Sequence, residues 1–341
     1  MKNKSLFLEN EKLKTTEFKK NDSLDELLNN LSNLLKPVQK ELNFDKNRFP
    51  LGFIVGNPRS GTSLLLQWLG SLNVFSYPTN VLTRFAYSPY IGALIQKILF
   101  DPEFDFHGEF HDIQSQVNFS STLGKSKGAL AASEFQHFFR NYMENFDPEY
   151  LDTEQIKHVD FKGMNKALAS IESAFGRPFV TKLFMLQFNI CYVANKIPNS
   201  IFLYAKREPI YIMQSILLAR EKYYGKRNIW LSVKPKEYNK LITMDVYNQI
   251  AGQVYYTDKS IAHELSTLSG SRKLEIQYEA FCSDPKNTYE QIIEKYNENG
   301  LAINVPYNGP ESFTNTNIIK LPKEDILALE NAFEYFENNE T

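Results

Sequence analysis

Short apolar runs alternate with amphipathic stretches along this chain, and the alternation predicts most of its elements. Leu24, Leu27, Leu28, Leu31, Leu34, Leu35 and Val38 recur at helical spacing. Ser23-Leu24-Asp25-Glu26 reads as a capping box for that helix, and Pro37 as a point where it bends. Such a helix packs on its own domain or receives a partner. The pattern then changes to Leu51-Gly52-Phe53-Ile54-Val55, apolar throughout and of strand length, followed by a loop and an apolar-rich helix starting near Gly61. Pro178–Leu183, Ser200–Ala205 and Arg272–Glu279 read as three further strands. Helical segments follow them: one around Asn189, Cys191 and Val193, one opened by Pro209 and carrying Ser215, and one with Asp284 as N-cap and Pro285 in its first turn. A long helix over about 244–268 has Ile250, Val254, Ile261, Leu265 and Leu268 on its buried side, and a last helix starts near Glu324. Strand, loop and helix in repetition predict an α/β fold of three layers, with a central parallel sheet flanked by helices.

Two regions depart from this repeat. Residues 1–20 are polar and are expected to fray. Residues 72–175 are rich in Phe and Tyr, with short helices expected near 90–100 and 132–145. They predict a helical cap inserted into a single domain that spans residues 21–341. Their rings form a satellite core, or the wall of a ligand cleft, or both.

The chemistry concentrates in Gly56-Asn57-Pro58-Arg59-Ser60-Gly61-Thr62-Ser63. Glycine allows a tight turn and a close backbone approach to a ligand. A helix that starts at Gly61 aims its unpaired N–H groups and positive dipole end into the loop, which makes an anion cradle. The alternative is a tight turn with no ligand. A nucleotide triphosphatase loop would place lysine directly after the second glycine. Here Thr62 and Ser63 follow Gly61, and the cation, Arg59, lies inside the loop. Ligand groups in parallel sheets gather at the carboxyl ends of strands. Arg59, Lys182 and Arg207 all fall at or just past such ends.

Composition narrows the partners. Of 341 residues, 43% are hydrophobic and 23% charged, as in ordinary globular chains, and a formal net charge of -2 gives no reason to expect nucleic acid. Cys191 and Cys282 are the only cysteines, so neither a zinc site nor a disulfide framework is indicated, and a reducing cytoplasm is the expected compartment. The N-terminal apolar stretch is too short for a signal peptide, and no run reaches the ~18 apolar residues of a membrane helix. His107-Gly108-Glu109-Phe110-His111 has Gly108 where a zinc-protease motif needs glutamate, so no metal is expected there.

Pro58-Arg59-Ser60-Gly61-Thr62-Ser63 after a buried strand resembles the 5′-phosphosulfate loop of sulfotransferases that use 3′-phosphoadenosine 5′-phosphosulfate (PAPS). Arg207-x-Pro209 with Ser215 eight residues after the arginine resembles the site where those enzymes grip the 3′-phosphate. Lys182 ends a strand where the family places a lysine near the transferred group, and Tyr278-Glu279 resembles a late segment whose tyrosine lies near adenine. These pieces span about residues 51 to 285 in the family's order. Ser76-Tyr77-Pro78-Thr79-Asn80 and Glu134-Phe135-Gln136-His137-Phe138-Phe139-Arg140 are similar to a bacterial-type branch.

The resemblance implies a P-loop-like fold and PAPS as co-substrate, held by Arg59, Ser60, Gly61, Thr62, Ser63, Arg207, Ser215 and Tyr278, with no metal ion. It implies sulfuryl transfer to a hydroxyl or amine, on a carbohydrate, lipid or small metabolite bound in the cap. Arg59 and Lys182 would stabilise charge on the leaving phosphate. The base departs from the family: several relatives have a glutamate shortly after the first helix, where this chain reads Tyr77-Pro78-Thr79-Asn80, and the cytosolic phenol and steroid enzymes have a histidine where Phe184 stands. Glu134, at the start of an expected helix and among Phe135, Phe138 and Phe139, is the candidate base, its pKa expected to rise with burial. It could equally serve as a helix N-terminal carboxylate. His107, Glu109, His111 and His137 are reserves. A nucleotide-dependent kinase and a catalytically silent nucleotide-binding protein are the rival readings.

Overall fold

All six residues of the apolar run Leu51–Gly56 are buried, as a strand with neighbours on both edges and helices on both faces requires. This strand, β1, lies inside a four-stranded parallel sheet with β2 (Val180–Lys182), β3 (Ser200–Lys206) and β4 (Lys273–Gln277), in the order β2-β1-β3-β4. Register runs Phe53↔Thr181 on one side and Phe53↔Phe202 on the other. The computed structural model describes residues 13–19, 21–42, 44, 46–110, 121–122, 125–144 and 149–339.

Side chains of β1 alternate between two cores. Leu51, Phe53 and Val55 face one, with Leu168 and Ile171 of one helix and Ile261 and Leu265 of another. Ile54 faces the other, with Leu65, Leu66, Trp68 and Leu69. In chain order the helices are α1 (Asp22–Glu41), α2 (Thr62–Ser71), α3 (Asn80–Arg84), α4 (Pro89–Phe100), α5 (Gln136–Phe139), α6 (Phe161–Phe175), α7 (Ile190–Lys196), α8 (Pro209–Tyr224), α9 (Tyr238–Leu241), α10 (Val246–Ser266), α11 (Tyr278–Ser283), α12 (Pro285–Glu298) and α13 (Lys323–Asn339). The expected three-layer α/β fold is therefore present, with α2 and α12 on one face of the sheet and α6, α7 and α10 on the other. A third core joins α8, α10 and α13 through Ile212, Met213, Val254, Leu329 and Phe336.

Several boundaries differ from the sequence expectation, each for a local reason. The cap of α1 is Asn21, whose side chain accepts from the Leu24 N–H at 3.0 Å, so the Ser23 capping box is not used. That helix runs through Pro37 and fully buries none of its residues. Leu24, Leu28, Leu31 and Leu35 are half-buried, while Leu27, Leu34 and Val38 face solvent. Within the stretch expected to fray, Thr16–Phe18 form a 3-10 turn with Phe18 buried; residues 1–12 lie outside the described residues. The last strand stops at Gln277, and Tyr278 and Glu279 open α11 instead. The helix expected over 132–145 contracts to α5, entered through Phe135 in the left-handed region at φ 55°. Among the aromatic residues of 72–175, Phe75, Phe135, Phe138 and Phe139 are almost completely buried and fill a core, while Phe75, Tyr77, Phe100 and Phe175 also line a cleft beside α4. Among the described residues, no helix is long and apolar enough to cross a membrane.

Candidate functional site

The loop after β1 is held in shape before any ligand is considered. Gly56 and Gly61 adopt φ 147° and 92°, both difficult for a residue with a Cβ. A Cβ on Gly61 would also stand 2.5 Å from Cδ2 of the Tyr278 ring, so the glycine lets that ring lie against the loop. Arg59 shares the left-handed conformation at φ 72°, at a cost of roughly 1–2 kcal/mol for an L-residue. Two contacts hold it there. Its Nε donates to Ser215 Oγ on α8 at 2.9 Å, and its carbonyl accepts from Arg207 Nη1 at 3.0 Å. Behind the loop the Asn57 side chain donates to the Val254 carbonyl, 3.1 Å away on α10, and the Asn57 carbonyl accepts both Ser60 N–H and Ser60 Oγ–H. Ser60 is thus turned inward as a brace and does not line the cleft.

The first helical hydrogen bond runs from Leu65 N–H to the Gly61 carbonyl. The N–H groups of Gly61, Thr62, Ser63 and Leu64 precede it and have no acceptor within the helix. They open into a cleft of about 560 Å³ lined also by Arg59, Arg207, Ser215, Tyr278, Thr316 and Lys320. Arg207 spans this cleft. Its Nε donates to Asn317 Oδ1 (2.8 Å), its Nη2 to Thr316 Oγ1 (3.2 Å), and the guanidinium lies 4.5 Å from the centre of the Tyr278 ring. With the bond to Arg59, three of its five N–H donors are engaged, and two are left for a ligand. Burial, followed by the mutual repulsion with Arg207, lowers the Arg59 pKa; burial lowers that of Arg207 as well.

Lys182 closes the far end of β2 and is 3% exposed. Its ammonium donates to Ser63 Oγ at 2.8 Å and pairs with Glu134 Oε1 at 3.4 Å, with the Phe184 ring 5.2 Å away. Burial pulls its pKa down, and the Glu134 carboxylate acts against that. Glu134 lies on a second cleft of about 640 Å³, bounded by α1, α3, the turn before α5 and the end of α8. The rings expected around Glu134 pack instead into the core, where Phe135 stacks on Phe138 at 4.6 Å. The carboxylate, 37% exposed, accepts from Gln136 Nε2 at 2.8 Å and is not in the first turn of a helix. Ser63, Lys182 and Glu134 therefore join the two clefts in one line of contacts.

Of the other histidine and carboxylate candidates, His137 lines the second cleft, whereas His107 sits in the 3-10 turn Phe106–Gly108 at φ 57° and His111 lies outside the described residues. Sequence reasoning missed Thr316, Asn317, Lys320 and Tyr223. A polar Ser/Thr/Asn-rich run gives no periodic signal, and nothing in it says that the chain returns to the cleft. Among the described residues, no group of three or more His, Cys, Asp or Glu could hold a metal ion.

A parallel sheet with a glycine loop and cations at its strand ends defines a broad class, and the sequence comparison narrows it. Residues 50–299 match the family model described as the sulfotransferase family, and the chain belongs to that family. Comparison with curated proteins finds no match. Among solved structures it is similar to sulfotransferase STF9 from Mycobacterium avium (14% identity, 89% of this chain and 71% of that one, TM-score 0.48). It is also similar to sulfotransferase STF1 from Mycobacterium tuberculosis H37Rv (13%, 88% and 75%, TM-score 0.46) and to the sulfotransferase domain from the curacin biosynthetic pathway (16%, 77% and 76%, TM-score 0.42).

Proposed function

We propose that the chain transfers a sulfuryl group from PAPS to a hydroxyl or amine acceptor and leaves adenosine 3′,5′-bisphosphate. The observation that carries this reading is the line Ser63–Lys182–Glu134, which connects an anion cradle to a second, polar cleft. The residues of the first cleft suit the donor nucleotide. The unpaired N–H groups of Gly61 through Leu64 face the cleft as an oxyanion site would, and Arg207 has two donors in the planar fork that phosphate accepts. Ser215 Oγ adds a hydroxyl, and the Tyr278 ring offers a flat face for a base. Bound there, PAPS would supply an activated sulfur whose leaving group is a phosphate oxygen.

The chain's own residues do the rest. Lys182 and Arg59, fixed cations in a largely desolvated position, stabilise charge that grows on the leaving oxygen. Glu134 takes the proton of the attacking hydroxyl, and its contact with Lys182 places it next to the reacting centre. Two free cysteines and the absence of a membrane-length helix among the described residues accompany a cytoplasmic placement in this reading. Thermal shift tests it: adenosine 3′,5′-bisphosphate is expected to stabilise the protein far more than AMP or ATP, with or without chelator. Stronger stabilisation by ATP with magnesium would favour a kinase instead.

A further inference from the structure

The cleft that holds Glu134 is walled by a segment far away in sequence. Asp25 and Leu28 of α1 line it. The stretch just before α1 is tied to the end of α8: Thr15 N–H donates to the Tyr223 carbonyl at 2.8 Å, and Thr15 Oγ1 to the Lys222 carbonyl at 3.1 Å. Those carbonyls belong to the last turn of α8, where a helix leaves acceptors unpaired. Phe18, 5% exposed, stacks on the Tyr223 ring with centroids 3.9 Å apart. Tyr223 itself lines the cleft within electrostatic reach of Glu134 and Arg59. Burial, and then the Glu134 carboxylate, push its phenol up to about 12, so it stays a neutral hydrogen-bond donor.

The lining has a distinct chemistry. Asn80, Thr83, Ser133 and Gln136 contribute amides and hydroxyls, and Arg84 stands opposite Asp25 and Glu134 in sign. Leu28 is the one large aliphatic side chain among the described lining residues, and the Phe135 ring is buried. A flat phenol, a steroid or an alkyl chain needs continuous apolar walls to leave water; here Leu28, Ala132 and the Tyr223 ring are interspersed with Asn80, Thr83, Arg84, Ser133, Glu134 and Gln136. Dispersed donors and acceptors of both kinds match a ligand that carries many hydroxyls.

Resting on the sulfotransferase reading above, we infer that α1 is a built wall of the acceptor site and that residues 13–19 brace the end of α8 behind it. Phe18 is a positioning residue that fixes Tyr223, Tyr223 donates a hydrogen bond to the acceptor, and the acceptor is a neutral polyhydroxylated molecule of the carbohydrate class. The acceptor oxygen forms the new S–O bond, the bond from sulfur to the 5′-phosphate oxygen breaks, and the acceptor proton passes to Glu134.

The test uses the full chain and sulfur-labelled PAPS with three acceptor sets: methyl glycosides and disaccharides, 2-naphthol with other phenols, and a long-chain alkanol in micelles. Affinity for adenosine 3′,5′-bisphosphate is measured separately by calorimetry. Label is expected in the glycoside set. Phe18→Ala and Tyr223→Phe are each expected to raise the KM for the labelled glycoside roughly five- to tenfold, the size of one lost hydrogen bond, while bisphosphate affinity stays unchanged. An unlabelled glycoside set overturns the acceptor class, whatever the other sets show. An unchanged KM in Tyr223→Phe, which keeps the ring stack, overturns the role of the hydroxyl. Loss of bisphosphate affinity together with melting temperature in Phe18→Ala reduces the arm to a structural prop. Wild-type protein that does not bind the bisphosphate sinks the donor reading instead, so the two failures are distinguishable.

Discussion

The two clefts that meet at Lys182 are built in opposite ways. The first is assembled from the ends of adjacent parallel strands and the helices that follow them, so Arg59, Lys182, Arg207 and Ser215 are positioned by the sheet itself. The second draws on α1, α3, a four-residue helix and the last turn of α8, with no sheet behind it. In the proposed reading the first is the donor cleft and the second the acceptor cleft. Rigid scaffolds hold the common chemistry, while connections hold the specificity.

The largest expected effects lie at the junction and would break this division if they failed. Glu134→Gln keeps size and hydrogen bonding but loses basicity, and turnover is expected to fall on the order of 10²–10⁴ with bisphosphate affinity intact. Lys182→Ala is expected to cost about 10²–10³ in kcat, because its contact strengthens as charge develops. Both are checked by steady-state kinetics beside calorimetry. If Lys182→Ala changed only donor affinity, the lysine would belong to the first cleft alone.

Arg207→Ala sharpens the comparison from the other side. Loss of a charge-assisted phosphate contact is expected to weaken bisphosphate binding by about 1.5–3 kcal/mol, and AMP, which lacks the 3′-phosphate, should be far less affected. Equal weakening of both nucleotides would move Arg207 away from the 3′-phosphate. A smaller effect is expected for Gly61→Ala. Its Cβ would stand 2.5 Å from the Tyr278 ring at φ 92°, so destabilisation of about 1–3 kcal/mol and weaker nucleotide binding should appear in denaturant titration and calorimetry.

The smallest effect is on pH dependence and comes from buried acids outside both clefts. Asp258 on α10 receives the Tyr204 hydroxyl at 2.6 Å and lies behind Asn57; burial raises its pKa to about 6. Glu172 accepts from the Arg48 and Phe49 N–H groups just ahead of β1, and burial raises its pKa to about 7. Both are raised above their unfolded values. Between roughly pH 4 and these folded values, the native state binds more protons than the unfolded one, so their contribution is full at low pH and is lost as pH rises through 6 to 7. Melting temperature measured from pH 5 to 8 should decline less in Asp258→Asn and Glu172→Gln than in wild type. An identical slope in the variants would mean that neither group titrates there.

How much of this was legible depended on whether the signal was local. Strand, glycine loop and helix are contiguous, and so are Arg207, Pro209 and Ser215, so the cleft at the strand ends could be read from the sequence. Its finish could not. Arg207 meets Asn317 across 110 positions, and Ser60 is turned inward by a hydrogen bond that residue type alone does not reveal. In the cap, aromatic richness alone does not separate a core from a cleft wall: Phe138 and Phe139 are buried, Phe75 and Phe100 line one cleft, and residues from four separate segments line the space at Glu134.

The helix α8 touches both clefts: Ser215 lies in the first, Tyr223 in the second, and the arm caps its final carbonyls. At sixteen residues it is a rod about 24 Å long. If ligands in the two clefts each shift this rod, each must change the other's affinity by the same factor, since coupling between two binding equilibria is reciprocal.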